Sequence, residues 1–186
     1  MKTTSSVLFL LLVSVLTGFS QQTRTTTSKN KELTLRIFKA FEAGDTTALD
    51  ALIAKDVISH AEMSNTKLKG LQAVKEMVRM QKISFPNMQS KIHAIGLAGD
   101  TVMVYYTSMG INSGPFMGMP ATNKRINVEG VDIIRFQNGK AVEHWGVYDH
   151  MKMMQQMGMM GGPGTSQAPA PHHPAKPQTP ATPDKQ

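Results

Sequence analysis

The chain has 186 residues, no cysteine and a formal net charge of +7, from 20 Lys and Arg against 13 Asp and Glu. Without cysteine there are no disulfides and no thiol nucleophiles, so a folded domain depends on its apolar core alone. The basic residues are scattered and no aromatic residues are interleaved with them, which argues against a nucleic-acid partner. The length and the 40% hydrophobic content fit one domain between two non-globular ends.

The N-terminal residues have the pattern of a secretory signal peptide. Lys2 precedes an apolar run over residues 7–16, and small residues follow at the positions that signal peptidase recognises. We therefore predict a signal peptide at residues 1–20, cleavage near Ser20, export to the periplasm or out of the cell, and a polar linker at residues 21–30. The apolar run is too short for a membrane span, so we expect no stable membrane insertion after cleavage.

Helical periodicity characterises the first part of the predicted domain. Apolar residues recur at helical spacing between residues 33 and 41, and Gly44 ends this amphipathic helix. A second short helix leads to a turn at residues 56–60, which places His60 at the rim of a cavity or, more simply, at the surface. A third helix is predicted over residues 70–81.

Strand patterns follow the helices. Residues 88–97 and 101–107 have β composition with a turn between them, residues 114–124 form a long loop, and a β-hairpin surrounds Asn138-Gly139. Helices first and antiparallel strands afterwards predict an α+β domain in which the N-terminal helices cover a curved antiparallel sheet.

The register of the hairpin depends on its loop. A two-residue loop places Asp132 opposite Trp145, whereas a three-residue loop with Gly139 as the bulge residue places Asp132 opposite His144. We favour the second, because it brings the Asp132 carboxylate and the His144 imidazole together on one face and puts Trp145 on the other. The simpler alternative is that this pair forms only a structural hydrogen bond. The predicted face also carries Gly130, Ile134, Val142 and Gly146.

Three segments carry a resemblance to a known family: Phe41–Asp45, Met117–Arg125, and Val131–Lys140 with the following Glu143-His144-Trp145. They resemble the SnoaL-like polyketide cyclases and ester cyclases of the NTF2-like superfamily. The resemblance covers about residues 31 to 158. It implies an NTF2-like cone-shaped barrel over these residues, with a pocket for a small-molecule ligand.

The resemblance also implies where a site lies. In these cyclases an aspartate on the last strand acts as acid/base in an intramolecular aldol closure, and a polar residue on the preceding strand faces the same cavity. Asp132 matches the second position, but the first falls on Gly146, which carries no proton. We therefore expect little or no turnover by the family's own mechanism.

Two interpretations of the pocket stay open. In the first, an enzyme uses His144 to transfer a proton and Asp132 to orient it, with His60, Tyr106 and Gly146 lining the pocket and without metal or nucleotide cofactor. In the second, the same pocket is a non-catalytic binder of a small apolar molecule. A homodimer is left open in both.

The C-terminal segment is rich in methionine. Residues 150–158 predict a short helix that matches a leucine-rich helix of the resembled family, with methionine in place of leucine at similar volume. The alternative is Cu(I) binding by thioethers, since soft sulfur ligands select that ion. Residues 159–186, rich in proline, are predicted to form a disordered tail. The methionines and histidines of the copper hypothesis are Met151, Met153, Met154, Met157, Met159, Met160 and His172-His173.

Overall fold

The computed structural model describes residues 28–61 and 68–160. The predicted signal peptide, most of the predicted linker and nearly all of the predicted tail lie outside these ranges. Within them, no helix is long and apolar enough to cross a membrane. The elements in chain order are α1 (28–43), α2 (Leu49–Leu52), β1 (Ile53–Ser59), α3 (Gly70–Ser84), β2 (Gln89–Ala98), β3 (Thr101–Ile111), β4 (Arg125–Gln137), β5 (Lys140–Tyr148) and α4 (His150–Met157).

The strands form one curved, unclosed sheet of five strands in the order β1-β5-β4-β3-β2. Neighbours are antiparallel except β1, which runs parallel to β5. The predicted α+β class with helices on a curved sheet is confirmed. The predicted turn at residues 56–60 is wrong, because most of this segment belongs to β1. Its partner β5 lies more than 80 residues away, as the pairing of Ser59 with His144 shows, so no local pattern reveals the pairing.

One face of the sheet is covered by the first three helices. The apolar stripe of α1 is buried as predicted, and Gly44, at a φ of 73°, ends the helix in the left-handed region. Alternate residues of β3, among them Val102 and Val104, point into the same core. Its buried members include Leu33, Ile37, Leu71, Val74, Val78, Val102, Val104, Ile134 and Phe136.

The methionine-rich helix α4 covers the other end of the same face. Met153 and Met157 are buried against Phe85, Ile126 and Val128 of the second core cluster. The Gln156 side chain accepts a hydrogen bond from the Asn127 N–H at 2.7 Å and donates one to the Asn127 carbonyl at 3.1 Å, which fastens the helix to β4. These contacts support the packing role of the methionines; copper binding stays untested.

The hairpin loop consists of Asn138 and Gly139 alone. Their φ angles are 52° and 75°, and Gln137 pairs with Lys140 across them. Positive φ at both central residues is the type I′ geometry that Asn-Gly favours. The three-residue loop that we predicted is therefore wrong.

The register of the hairpin is shifted inside β5, where Val142 is an extra residue relative to β4. The pairing of β1 with β5 is irregular at the same point. Asp132 therefore lies opposite Gly146, and the predicted pairing of Asp132 with His144 is wrong. The alternation of faces nevertheless places Asp132 and His144 on one side. Trp145 lies on the other side, as predicted.

Candidate functional site

Asp132 and His144 meet on the helix-covered face of the sheet. The His144 Nε2 atom lies 3.3 Å from Asp132 Oδ1, although the two residues are on different strands and are not directly paired. The His144 side chain is 26% exposed and the Asp132 side chain 19%, so both are largely covered yet reach solvent. The structure thus brings together the two residues that we predicted as catalytic.

Tyr106, predicted to line the pocket, also reaches Asp132. Its hydroxyl donates to Oδ1 at 3.3 Å, and its ring packs edge-on against Phe38 of α1 with centroids 5.1 Å apart. Burial, and then the nearby Asp132 charge, raise the pKa of the Tyr106 phenol above its ordinary value. The phenol therefore keeps its proton at neutral pH and serves as a donor.

Gly146 leaves the space in which Asp132 and His144 approach each other. A Cβ atom at this position would lie 3.0 Å from Asp132 Oδ1 and 3.2 Å from His144 Nε2. Because both distances are shorter than ordinary van der Waals contact, a side chain at residue 146 would require Asp132 and His144 to move by a few tenths of an ångström. The absence of a side chain at Gly146 therefore makes room for the Asp132 carboxylate beside His144.

Gly130, two residues before Asp132, likewise leaves space for neighbouring side chains. A Cβ atom there would lie 2.8 Å from the Tyr106 hydroxyl oxygen and 3.1 Å from Tyr148 Cδ2, so both rings cross β4 over the glycine. Burial raises the pKa of Tyr148 to about 12, and a hydrogen bond with Ser108 opposes this in part. Both phenols are thus protonated at neutral pH.

Ser59 is a site residue that the sequence prediction missed. Its Oγ lies 3.2 Å from His144 Nδ1, at the end of β1 where Ser59 pairs directly with His144. The sequence prediction places this segment in a turn, and a turn gives Ser59 no partner in the sheet. The three β-branched residues within residues 53–59 are the sequence signal for a strand here, and a strand assignment would have placed Ser59 in the sheet.

His60 lies on the opposite face of the sheet. Its ring stacks on Trp145 with centroids 4.8 Å apart, and its Nε2 is 2.9 Å from Glu143 Oε1. Glu143 also accepts two hydrogen bonds from Arg135, at 2.9 and 2.7 Å. The structure therefore does not bring His60 to Asp132 and His144, contrary to its predicted place in the pocket.

The contacts of Asp132 define what the site can do chemically. Tyr106 and His144 both approach Oδ1, and among the described residues nothing is bonded to Oδ2. Neither neighbour is a permanent cation, so the carboxylate is held without being neutralised. A carboxylate with one oxygen held and one open is suited to remove a proton from a bound molecule. No group of three or more His, Asp or Glu residues that could hold a metal ion occurs in ranges 28–61 and 68–160.

Comparison with known proteins identifies the family. The family model of SnoaL-like polyketide cyclases matches residues 32–157, and the chain belongs to this family. Aklanonic acid methyl ester cyclase DauD of Streptomyces sp. (strain C5) is 26% identical over 128 residues, which cover 67% of this chain and 79% of DauD. The resemblance drawn from the three sequence segments is confirmed.

Solved structures show the same fold. IdmH of Streptomyces antibioticus superposes with a TM-score of 0.62 at 25% identity, covering 69% of this chain and 98% of IdmH. TsrD of Streptomyces laurentii gives 0.65 at 20% identity, covering 72% and 97%. A SnoaL-like protein of Jannaschia sp. CCS1 gives 0.64 at 21% identity, covering 70% and 92%. The last two likenesses concern the fold alone.

Proposed function

We propose that this protein is an acid–base enzyme that closes a ring in a small polyketide-like ester, with Asp132 as the base. One observation carries the proposal: a Cβ atom at Gly146 would lie 3.0 Å from Asp132 Oδ1. The carboxylate of β4 therefore occupies the space that a carboxylate on β5 would need. The family's acid/base is transposed across the strand pair rather than lost, contrary to our expectation from Gly146 alone. The similarity to a methyl ester cyclase supports the substrate class.

The proposed mechanism uses the two oxygens of Asp132 differently. Oδ2 removes a proton from a carbon next to a carbonyl group, and the resulting enolate attacks a second carbonyl of the same molecule. The alkoxide that forms takes the proton back from Asp132, so no proton is gained or lost overall. Tyr106 and His144 hold Oδ1 in place throughout. This reverses the roles of our first interpretation, in which His144 transferred the proton.

The accessibility of the pair supports a small organic ligand. The Asp132 and His144 side chains are only partly exposed, and Tyr106, which contacts Asp132, and Ile134, on the same face of β4, belong to the helix-covered core. An apolar wall with a few polar groups is the usual composition of a small-molecule site. We further propose, from residues 1–20 alone, that the protein acts after export.

The test moves the carboxylate between the two strands. Wild type, Asp132→Asn, and the double variant Asp132→Ala/Gly146→Asp, in which alanine vacates the space that the new carboxylate needs, are assayed on a panel of polyketide-like methyl esters by absorbance and product mass. We expect Asp132→Asn to lose about 10²–10⁴ in rate, as for removal of a general base, and the double variant to regain part of it. Glu129→Gln is the matched control, because it removes one carboxylate charge from β4 on the opposite face.

A non-catalytic binder is the competing function, and the same variants separate the two. A binder raises its melting temperature with panel compounds but converts none of them, and Asp132→Asn then changes affinity only. Conversion by wild type that survives in Asp132→Asn at the wild-type rate would remove Asp132 from the mechanism.

A further inference from the structure

We propose that Ser59 is a nucleophile for acyl transfer, activated by His144 and Asp132. The three side chains come from β1, β5 and β4, and each contacts the next. Ser59 Oγ lies 3.2 Å from His144 Nδ1, and His144 Nε2 lies 3.3 Å from Asp132 Oδ1. A nucleophile, a base and a group that orients the base are the components of nucleophilic catalysis on unrelated folds. The inference shares two residues with the proposed ring closure but concerns a different reaction.

The direction of the Ser59 hydrogen bond follows from the position of Asp132. The carboxylate beside Nε2 favours the tautomer of neutral His144 that carries its proton on Nε2. Nδ1 then has a free lone pair, so the Ser59 hydroxyl donates to it. This is the arrangement in which the imidazole can accept the hydroxyl proton during attack. The two ring nitrogens have exchanged roles relative to the usual serine triad, in which the carboxylate faces Nδ1.

The reaction requires only an ester and water. Ser59 Oγ attacks the ester carbonyl carbon while its proton passes to His144 Nδ1. The bond to the leaving alcohol breaks, and the alcohol takes that proton. Water then attacks the acyl-serine with His144 again as base, which releases the acid and restores the hydroxyl. Ser59 is only partly buried at the strand end, which leaves its oxygen within reach of a ligand.

The substrate class follows from the surroundings of Ser59. The neighbouring His60 N–H is already bonded to the His144 carbonyl at 2.8 Å, so it does not stabilise a negatively charged oxygen of the intermediate. Activated esters have good leaving groups and depend least on such stabilisation. We therefore expect aryl esters, rather than simple alkyl esters, to acylate Ser59.

The first experiment traps the acyl-enzyme. The full chain is mixed with p-nitrophenyl acetate, and the release of p-nitrophenol and the mass of the protein are followed together. We expect an initial burst and one acetyl group on the tryptic peptide of residues 56–67, located on Ser59 by fragmentation. Ser59→Ala should abolish the acetyl group and lower the hydrolysis rate about 10²–10⁴-fold, whereas Ser64→Ala, in the same peptide, should change neither. An acetyl group on any other residue, or hydrolysis unchanged in Ser59→Ala, overturns the inference.

The second experiment uses the absence of cysteine from the chain. Ser59→Cys introduces a single thiol, and its alkylation by iodoacetamide is measured against pH. A thiol beside an imidazole forms a thiolate at lower pH than a free cysteine, whose pKa is about 8.5. We expect alkylation to persist well below that pH in Ser59→Cys and to shift back in Ser59→Cys/His144→Gln. Equal pH profiles for the two variants contradict activation by His144.

Failure of this inference is distinguishable from failure of the proposed ring closure. Two assays of the wild-type protein separate the failures: acetylation of Ser59 without conversion of the methyl ester panel contradicts the proposed ring closure alone, and conversion of the panel without acetylation contradicts this inference alone.

Discussion

The two faces of the sheet each carry a carboxylate beside a histidine. On the helix-covered face Asp132 Oδ1 lies 3.3 Å from His144, and on the open face Glu143 Oε1 lies 2.9 Å from His60. The surroundings of the two pairs differ. Glu143 is also held by Arg135, whereas the second neighbour of Asp132 is the neutral phenol of Tyr106.

The difference shows which pair is suited to chemistry. The hydrogen bonds of His60 and Arg135 lower the pKa of Glu143, because they stabilise its charged form. A carboxylate stabilised by a permanent cation is a weaker base, and both of its oxygens are engaged. Asp132 keeps one open oxygen and has no permanent cation among its described neighbours. Glu143, with its cationic partner Arg135, is therefore part of a structural ion pair. Asp132, with the phenol of Tyr106 instead, is a candidate general base.

The largest expected difference between the faces comes from replacing each histidine. His144→Gln should lower kcat/KM for ring closure about 10–10²-fold, because the imidazole that contacts Asp132 Oδ1 is lost and contacts to a charged group are worth about this much. His60→Gln should leave it within about twofold, because it changes a contact outside the site. Steady-state kinetics on the methyl ester panel measure both. Equal losses of kcat/KM in the two variants would mean that His144 has no greater part in the reaction than His60.

Filling the space that Gly130 leaves for Tyr106 and Tyr148 should have the next largest effect, on stability rather than on rate. Gly130→Ala places a Cβ atom 2.8 Å from the Tyr106 hydroxyl oxygen, and we expect it to lower the free energy of unfolding. Overpacking of this kind costs about 1–3 kcal/mol. Gly110→Ala is the matched control in β3, because its Cβ would meet its nearest neighbour, Met88, at 3.4 Å, an ordinary contact. Urea unfolding of both variants measures the difference; a Gly110→Ala loss as large as that of Gly130→Ala contradicts the steric explanation.

The shared face of Asp132 and His144 follows from sequence because the predicted and observed registers differ by two residues, with His144 and Gly146 respectively opposite Asp132. The shorter loop alone would have moved the two side chains to opposite faces, and the extra residue in β5 compensates for it. The directly opposed residue is Gly146 because an extra residue, Val142, lies within β5. No feature of the hairpin sequence places that bulge, which coincides with the irregular pairing of β1.

The parts that sequence could not predict depend on contacts between distant segments. Ser59 reaches His144 only because β1 pairs in parallel with β5, and His60 reaches Trp145 for the same reason. A histidine one residue beyond a strand takes the face opposite to the last strand residue, so the strand assignment decides which histidine enters the site. Because we predicted a turn at residues 56–60 instead of a strand, the faces of Ser59 and His60 could not be assigned.

The smallest effect we predict is a pH dependence of stability from Glu143. Its pKa in the folded protein lies below the ordinary value of 4.5, so its contribution to stability is present above the unfolded pKa. That contribution is lost as the pH falls through the folded pKa. Wild type should therefore be more stable than Glu143→Gln at neutral pH, and the difference should shrink as the solution is acidified below about pH 4.

Urea unfolding at a series of pH values measures this difference. It should be followed by circular dichroism rather than by fluorescence of Trp145, because that ring stacks on His60 within the same cluster. Glu129→Gln is the control, since it makes the same chemical change on the same face, where Glu129 contacts Tyr105 instead of Arg135. The effect should stay small, because exposed ion pairs contribute little and salt screens them. A Glu143→Gln difference that stays constant into the acid range would mean that Arg135 and His60 do not hold Glu143 in its charged form.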